Sequence, residues 1–360
     1  MATAETVPGR PAVSVIVPAR NEEASLADCL YSLVTQTGID FEVLVVDDHS
    51  TDRTREIASS FPQVRVIDAP PLPTDWTGKN NAVAAGARAA RGRWLLFTDA
   101  DTVHLPGSLP RALQEARENA ADLLSYSPEQ VAVTFWEIAI LPVVFAELAR
   151  QYPPAKVSDP ASPIAAANGQ YILIKREPYD AVGGHVAIAR EILEDVALAR
   201  TVKNSGRKIR FRYAADAVRT RMYRNLSQLR EGWTKNLALL FPNPGWLAVK
   251  SLAFWMAPWV AFFFLARSYA VGWSSASFVG AFLYITGRLR RAHFRWDMET
   301  LGGLFGYPAF AYLLLRSRRA HASGKVNWKD RSYSGEAKAH SPQPTSPSSI
   351  KHASPLETPR

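Results

Sequence analysis

Two aspartates in the stretch TDADT (98–102) have the type and spacing of a metal site. Asp99 and Asp101 stand two residues apart, directly after the apolar segment 93–97. Two carboxylates so placed can hold a hard divalent cation, Mn²⁺ or Mg²⁺, and leave coordination positions open for phosphate oxygens. Aspartate is also common in solvated loops, so the pair alone leaves a plain turn as the alternative.

Two more polar clusters, PARNE (18–22) and DDHSTD (47–52), follow apolar segments in the same way. For Asp47 and Asp48 we favour contact with a nucleoside, through its base or its ribose. In PARNE, turn formation with Asn21 as a helix cap explains the residues as well as donor binding does. The donor-binding candidates in this cluster are Pro18, Ala19, Arg20 and Glu22. In DDHSTD, Ser50 or Thr51 is expected to cap the next helix.

Lys79 is a candidate for binding the donor's phosphates. It follows Gly78 at the predicted start of a helix, where free backbone N–H groups and a lysine together attract an anion. The alternative is an ordinary exposed lysine.

The elements that must position these residues alternate between strand and helix. Apolar, β-branched segments predict strands, and segments with helical periodicity predict helices between them. The predicted strands are 12–19, 41–48, 64–69, 93–101 with its loop, and 122–128; the predicted helices are 21–36, 52–61, 78–90 and 108–120. This alternation predicts an α/β fold with a mostly parallel sheet, in which ligands bind at the carboxyl ends of the strands.

The ordered set of motifs VSVIVPARNEE, VLVVDDHSTDRT, GRWLLFTDADT and EILEDVALA (191–199) resembles the inverting family-two glycosyltransferases with the GT-A fold. The resemblance covers about residues 12–240. It implies that Asp47 and Asp48 lie at the nucleoside, that Asp99 and Asp101 form the metal-and-donor motif, with Asp101 as the direct metal ligand, and that Asp195 is the catalytic base.

A narrower set, DWTGKNNA, GGH (183–185), RMYRNLSQLREGWTKNL (221–237) and VNWKDRSY (326–333), resembles bacterial transferases that glycosylate carotenoid-type lipids. Residues 168–185 are expected to form an acceptor-side wall. Processive family members carry Gln-x-x-Arg-Trp, whereas QLREGW here separates the arginine from the tryptophan, which favours addition of one sugar. Candidates on the acceptor or diphosphate side are Gly184, His185, Glu194, Arg230, Trp233 and Lys235. For His185 an ordinary loop histidine, and for Trp233 a membrane-interface anchor, are the alternatives.

Apolar residues crowd into 246–315, and basic clusters flank that region at 288–295 and 316–331. We expect 1–10 disordered, a GT-A domain over 11–245, a membrane region over 246–331, and a disordered tail over 332–360. The membrane region is predicted to contain spans at about 246–266 and 269–286 and an interfacial or re-entrant segment at 302–315. Segment 131–149 carries Glu137, Pro142 and Glu147, and predicts a core or interfacial helix instead.

The formal charge of +9 lies largely beside apolar segments, which favours a membrane surface and argues against nucleic acid. The single cysteine, Cys29, excludes a disulfide framework. With no apolar run before the first strand, the catalytic domain is expected on the cytoplasmic face of a multi-pass membrane protein.

The predicted function is metal-dependent, inverting transfer of a sugar from a nucleotide-sugar donor to a lipid or amphipathic acceptor at the cytoplasmic membrane face. A polyprenyl phosphate or a diacylglycerol-like lipid is the alternative acceptor. A non-catalytic nucleotide-binding membrane module is a second class, but it would not need the base at Asp195. A sugar nucleotidyltransferase is disfavoured, because its glycine-rich phosphate loop is missing after the first strand.

Overall fold

The computed structural model of the protein describes residues 10–267, 279–280, 283, 287, 303–328 and 331–333. The strands are β1 (Val13–Ala19), β2 (Phe41–Asp47), β3 (Val64–Asp68), β4 (Trp94–Phe97), β5 (Thr102–His104), β6 (Leu123–Ser127), β7 (Glu129–Gln130), β8 (Ile172–Lys175), β9 (Ile209–Tyr213), β10 (Val218–Thr220), β11 (Val326–Trp328) and β12 (Arg331–Tyr333). The helices are α1 (Leu26–Val34), α2 (Thr54–Ser59), α3 (Gly78–Ala89), α4 (Ser108–Glu118), α5 (Phe135–Gln151), α6 (Pro154–Ser158), α7 (Arg176–Ala181), α8 (Gly184–Ala187), α9 (Glu194–Asn204), α10 (Leu226–Leu240), α11 (Pro244–Arg267) and α12 (Gly306–Ala322), with a 3₁₀ turn at Gly303–Phe305.

The main sheet confirms the predicted α/β class. Over the described residues its seven strands run in the order β3-β2-β1-β4-β8-β6-β9. Strands β1, β2, β3 and β4 are parallel, so their carboxyl ends share one edge. Strand β8 is antiparallel to both β4 and β6, which the strand–helix alternation did not predict. Because β8 runs the other way, the residues that precede it lie at the same edge as the end of β4.

The loops after β1 and β2 bind each other, and this corrects the predicted helix caps. Asn21 has a positive φ of 52° and does not cap a helix; its Oδ1 accepts a hydrogen bond from the Thr51 backbone N–H. Helix α1 therefore begins five residues later, at Leu26. Ser50 does not cap α2 either, because its Oγ accepts from the Asn21 N–H. The two loops thus form one rigid rim at the carboxyl edge of the sheet.

Apolar side chains cover both faces of the main sheet. One face packs against α1 and α4, and the other against α3 and α9. A third apolar cluster lies between α5, α10, α12 and the start of α11. Helix α5 confirms the interpretation of 131–149 as a core helix: Glu137 is buried and bonded to Arg221, and Pro142 is buried within the helix.

In the carboxyl-terminal region, α12 packs against α5 and α10. Of the described residues, only Pro244–Phe264 forms a helix long and apolar enough to span a membrane. Most of the second predicted span, 269–286, lies outside the described residues. The predicted interfacial segment 302–315 falls largely in the 3₁₀ turn and α12, where Tyr307, Phe310 and Leu314 are buried against α5 and α10. Strands β11 and β12 then form an antiparallel hairpin.

Candidate active site

A cavity of about 300 Å³ lies at the carboxyl edge of the main sheet. Its wall is built from the loops after β1, β2 and β4, the start of α3, the segment before β8, the start of α9, and α10. Of the site residues predicted from the sequence, those in the wall are Pro18, Ala19, Arg20, Glu22, Asp48, Lys79, Asp99, Asp101, Glu194, Asp195, Trp233 and Lys235. Segments more than 200 residues apart therefore meet in one site.

Asp99 and Asp101 are positioned by a turn that hydrogen bonds hold on both sides. Thr98, at the end of β4, donates its hydroxyl to the Gln170 carbonyl at 2.8 Å. On the other side, Thr220 of β10 donates its hydroxyl to the Asp101 carbonyl at 3.2 Å. These hydrogen bonds fix the position of the turn, and both carboxylates line the cavity.

The donor set at Asp99 and Asp101 fits a hard divalent cation. In the described part of the chain, no group of three or more His, Cys, Asp or Glu side chains is arranged to hold a metal by itself. The protein thus offers two carboxylates, and phosphate oxygens would complete the shell, which is the usual pattern for Mg²⁺.

Lys79 links the donor side of the cavity to α9. Its Nζ lies 2.7 Å from Asp99 Oδ1 and 2.6 Å from Glu194 Oε1. Burial by itself would lower the pKa of Lys79, but attraction by Asp99 and Glu194 outweighs it and holds the pKa well above its usual range. Lys79 is therefore charged, and it forms ion pairs with two of the carboxylates that line the cavity.

Asp195 lies in the first turn of α9, where two backbone N–H groups fix its carboxylate. Gly169 donates to Oδ2 at 3.0 Å and Val196 to Oδ1 at 2.8 Å. Burial and repulsion by Glu194 raise the pKa of Asp195, while Lys79 opposes the shift only in part. For Glu194, burial would also raise the pKa, but attraction by Lys79 and Lys235 outweighs it and lowers the pKa. The two neighbouring acids therefore differ in proton affinity.

Gly169 is a site residue that the sequence motifs did not identify. A Cβ built on it would lie 3.1 Å from Lys79 Nζ and 3.3 Å from Glu194 Oε1. The backbone at this position therefore lies close to the charged cluster, and a side chain there would push Lys79 or Glu194 aside by a few tenths of an ångström. The signal in the sequence was the glycine before the apolar segment YILIK, where a close backbone approach is one common reason for glycine.

Arg331 is a second site residue that the motifs did not identify. Its guanidinium binds the Asp48 carboxylate through two hydrogen bonds, at 2.5 and 3.0 Å, and lines the cavity. A Cβ on Gly78 would lie 1.5 Å from Arg331 Nη1 and 2.7 Å from Asp48 Oδ2, so a larger residue there would displace the guanidinium. The motif WKDR was visible in the sequence, but nothing local indicated that it reaches a loop 283 residues away.

Much of the rest of the cavity wall is apolar. It contains aromatic and aliphatic side chains from α5, the loop before α9, the loop after β10, and α10: Phe145, Leu148, Tyr152, Ile192, Leu193, Met222, Tyr223, Trp233 and Leu240. Trp233 is 2% exposed, so it is part of this wall and the alternative of a membrane-interface anchor is wrong.

Four predicted site residues lie outside the cavity wall. Asp47 is buried behind it, where its Oδ1 accepts from the Ser50 N–H at 3.4 Å. Gly184 is packed against the Tyr179 ring. His185 is 2% exposed and hydrogen-bonds to the Tyr179 hydroxyl at 3.0 Å, and burial lowers its pKa to about 3. Arg230 is exposed on the outer side of α10. The structure therefore does not bring Asp47, Gly184, His185 or Arg230 to the cavity wall.

Comparisons with known proteins identify the family of the chain. Residues 14–195, half of the chain, match the family profile described as glycosyl transferase family 2. The chain is 26% identical over 339 residues to the 4,4'-diaponeurosporenoate glycosyltransferase of Staphylococcus aureus strain USA300, covering 90% of this chain and 88% of that protein. The protein of that name from strain MRSA252 is 26% identical over 342 residues, with the same coverage.

One solved structure shares the fold. It is the mannosyltransferase PcManGT from Pyrobaculum calidifontis in complex with GDP-Man and Mn²⁺, with a TM-score of 0.50, 16% identity, and coverage of 86% of this chain and 87% of that one. At that identity the likeness shows the GT-A-like α/β fold alone. The family match, together with a carboxylate-lined cavity at the carboxyl edge of the sheet, establishes the class: this chain belongs to glycosyl transferase family 2 and is a glycosyltransferase.

Proposed function

We propose that the protein transfers one sugar, with inversion and with a divalent metal, from a nucleotide-sugar donor to a lipid or amphipathic acceptor at the cytoplasmic face of the membrane. The observation that carries the proposal is the composition of one cavity. It has paired carboxylates and cations, the half-buried Asp195, and an apolar part of the wall contributed by α5 and α10.

The charged end suits the donor. Asp101, and Asp99 with it, would hold Mn²⁺ or Mg²⁺ against the two phosphates. Lys79 Nζ lies 2.7 Å from Asp99 Oδ1, so the cation would share the Asp99 carboxylate with the lysine. When bound, the cation supplies charge that stabilises the departing nucleoside diphosphate. Asp48 and the loop residues Pro18, Ala19, Arg20 and Glu22 line the part of the wall expected to take the nucleoside.

Asp195 is the proposed proton acceptor. Burial and repulsion by Glu194 raise its pKa, so its carboxylate binds a proton more readily than an exposed aspartate does. The backbone N–H groups of Gly169 and Val196 aim its two oxygens. An acceptor hydroxyl that loses its proton to Asp195 attacks the anomeric carbon as the bond to the diphosphate breaks. Attack on the side opposite the leaving group inverts the anomeric centre.

The apolar end suits a lipid acceptor. Side chains of α5 and α10 form that wall, and α10 leads directly into the apolar helix α11. A lipid hydroxyl held at the bilayer surface could therefore enter without leaving the membrane. The relatives in Staphylococcus aureus are named for a carotenoid-type acceptor, which favours an acceptor of that class here. A polyprenyl phosphate and a diacylglycerol-like lipid remain outcomes of the test.

The test is sugar transfer by the purified full-length protein, with a panel of radiolabelled nucleotide sugars and extracted bacterial membrane lipids. We expect a labelled lipid product of inverted anomeric configuration, complete loss of transfer in excess chelator, and recovery on addition of Mn²⁺ or Mg²⁺. Asp101→Ala should abolish transfer with an unchanged melting temperature, whereas Asp28→Ala, at an exposed aspartate outside the site, should not. Full activity in chelator contradicts the metal assignment, and transfer only to soluble sugars contradicts the lipid acceptor.

A further inference from the structure

A chain of buried hydrogen bonds links the turn that carries Asp101 to the segment before β8. The Gln170 side chain donates from Nε2 to Thr220 Oγ1 at 3.2 Å, and the Thr220 hydroxyl donates to the Asp101 carbonyl at 3.2 Å. Gln170 and Thr220 are 4% and 1% exposed, so both bonds form away from bulk water, where a hydrogen bond is electrostatically stronger. The chain therefore connects Gln170 to the backbone of the proposed metal ligand.

The chemistry of these groups fixes the direction of each bond. A backbone carbonyl oxygen can only accept, so the single hydroxyl proton of Thr220 goes to Asp101, and Thr220 Oγ1 accepts from the Gln170 amide nitrogen. At the other end of the turn, Thr98 donates its hydroxyl to the Gln170 carbonyl at 2.8 Å. Gln170 thus holds both ends of the turn 98–101, one through its backbone and the other through its side chain.

The same residue belongs to the segment that aims Asp195. The backbone N–H of Gly169, the preceding residue, donates to Asp195 Oδ2 at 3.0 Å. Asn168 braces this segment: its Oδ1 accepts from the Gln170 N–H at 3.0 Å, and its own N–H donates to Ser125 Oγ of β6 at 2.8 Å. Because the segment is braced in this way, a shift of Gln170 would also shift the N–H group that holds the proposed base.

We propose that Gln170 is a positioning residue for sugar transfer, which sets the distance between the metal ligand Asp101 and the base Asp195 with Thr220 as its relay. The inference rests on the proposed function and extends it to a residue, Thr220, that lies outside the cavity wall. In-line attack requires the acceptor hydroxyl and the leaving diphosphate to be held at a fixed separation. A link of neutral groups sets that separation without adding a buried charge beside the carboxylates.

The test compares Thr220→Val, which removes the relaying hydroxyl at nearly the same size, with Thr220→Ser, which keeps it. The backbone of Thr220 pairs with Thr102 of β5, and this pairing does not need the side chain, so both variants should fold. Gln170→Met removes the amide and breaks the same chain at its other link. The matched control is Ser14→Ala, which removes a buried, hydrogen-bonded hydroxyl at the opposite edge of the main sheet.

Binding of Mn²⁺ to the full-length protein is measured by electron paramagnetic resonance with UDP or GDP present, and thermal melting checks folding. Thr220→Val and Gln170→Met should each bind Mn²⁺ roughly 10- to 100-fold more weakly, the usual effect of losing a partner that orients a metal ligand. Single-turnover transfer at saturating Mn²⁺ and donor should also be slower by roughly 10- to 100-fold, because excess metal does not restore the distance to the base.

Two further results are expected only if the residues act as one chain. Thr220→Ser should bind Mn²⁺ as the wild type does, since it keeps the hydroxyl. The double variant of Gln170→Met and Thr220→Val should be no weaker than either single variant, because one break is enough. Ser14→Ala should lower the melting temperature and leave Mn²⁺ affinity unchanged, which separates positioning from a general loss of stability.

Unchanged Mn²⁺ affinity in folded Thr220→Val overturns the proposal, and so does a double variant whose losses multiply, or a Thr220→Ser variant as weak as Thr220→Val. A transfer rate that saturating Mn²⁺ restores fully overturns the link to Asp195. If Gln170→Met does not fold, the two Thr220 variants decide alone. If the wild type itself binds no Mn²⁺ with either nucleotide and transfers no sugar, the proposed function is wrong.

Discussion

At the scale of single residues, the site depends on the two ion pairs that Lys79 forms. Its ammonium lies within 2.7 Å of both Asp99 and Glu194, but it does not hydrogen-bond Asp195. Glu194 is thereby held ionised, and its negative charge, added to burial, raises the pKa of Asp195. Adjacent acids on a helix point about 100° apart, so they face different partners. Glu194 is ion-paired with Lys79, whereas Asp195 has a raised pKa, which suits a proton acceptor.

The role of Asp195 is tested by Asp195→Asn. As the base, its loss should lower turnover by roughly 10²- to 10⁴-fold while donor binding survives. If the carboxylate only complements the start of α9, the cost is about 0.3–1 kcal/mol of stability and little activity. Single-turnover rates and donor affinity distinguish these outcomes. Asp180→Asn, at an exposed aspartate, serves as the control, and near-normal turnover of Asp195→Asn would refute the assignment.

A pH profile tests the coupling between Glu194 and Asp195. The base must be ionised, so kcat/KM should fall as the pH drops through the pKa of Asp195, which lies at about 6. Glu194→Gln removes the neighbouring negative charge and strengthens the pull of Lys79 on Asp195. Both effects lower the pKa of Asp195, so the acidic limb of the profile should move to lower pH. Glu177→Gln, at an exposed glutamate, is the control. If the acidic limb does not move in Glu194→Gln, Asp195 does not set that limb.

At the scale of elements, two segments complete the site from far along the chain. The antiparallel strand β8 brings Gly169 to the carboxyl edge, where parallel strands alone would bring only the loops that follow them. The hairpin of β11 and β12 adds Arg331 to Asp48. Over the described residues the cavity wall holds six carboxylates and only four cationic side chains, so each cation matters for a doubly charged diphosphate.

Arg331→Ala should weaken donor binding by roughly 5- to 30-fold, because it removes a cation and leaves the nearly buried Asp48 carboxylate unpaired. The melting temperature should also fall. Lys325→Ala removes an exposed charge just before the hairpin and should change neither quantity. Calorimetric donor titration gives the answer. Tighter donor binding in Arg331→Ala would instead show that Arg331 competes with the donor for Asp48.

At the scale of the whole molecule, the outward face of α11 is apolar and exposed. Many of its large apolar side chains are between about two-fifths and two-thirds exposed, among them Trp246, Val249, Met256, Trp259 and Phe263. A continuous apolar surface of this kind marks contact with a membrane or another protein. After it, α12 packs back on α10: His321 Nε2 lies 2.8 Å from the Lys235 carbonyl. Residues before Pro244 and after Gly303 must therefore lie on the same side of any membrane.

This arrangement predicts where Ser323 is found. If the catalytic domain is cytoplasmic, a thiol introduced by Ser323→Cys should resist a membrane-impermeant maleimide added to intact cells and react after permeabilisation. Ser323 is exposed and the native Cys29 is buried, so labelling reports on the new thiol alone. Cells that express the unaltered protein are the control. Labelling of Ser323→Cys from outside intact cells would show that the predicted orientation is wrong.

Local sequence determined the elements and their chemistry at the ends of the strands. The segments predicted for β1, β2, β3, β4 and β6 are strands in the structure, because buried strands require apolar, β-branched residues that a single segment displays. In a parallel sheet, the carboxyl ends of all strands lie at the same edge. The amino-acid sequence by itself therefore sufficed to assign Asp48, Asp99 and Asp101 to one site.

Tertiary structure alone decided which side chains meet. Helical periodicity could not tell that Arg230 is exposed while Trp233 and Lys235 line the cavity, because that depends on the packing of α12 against α10. The histidine of GGH was chemically suitable, yet it packs beneath β4 against Phe97. Arg331 reaches Asp48 across 283 residues. Contacts at such separations follow from how whole elements pack, and no local pattern in the chain records them.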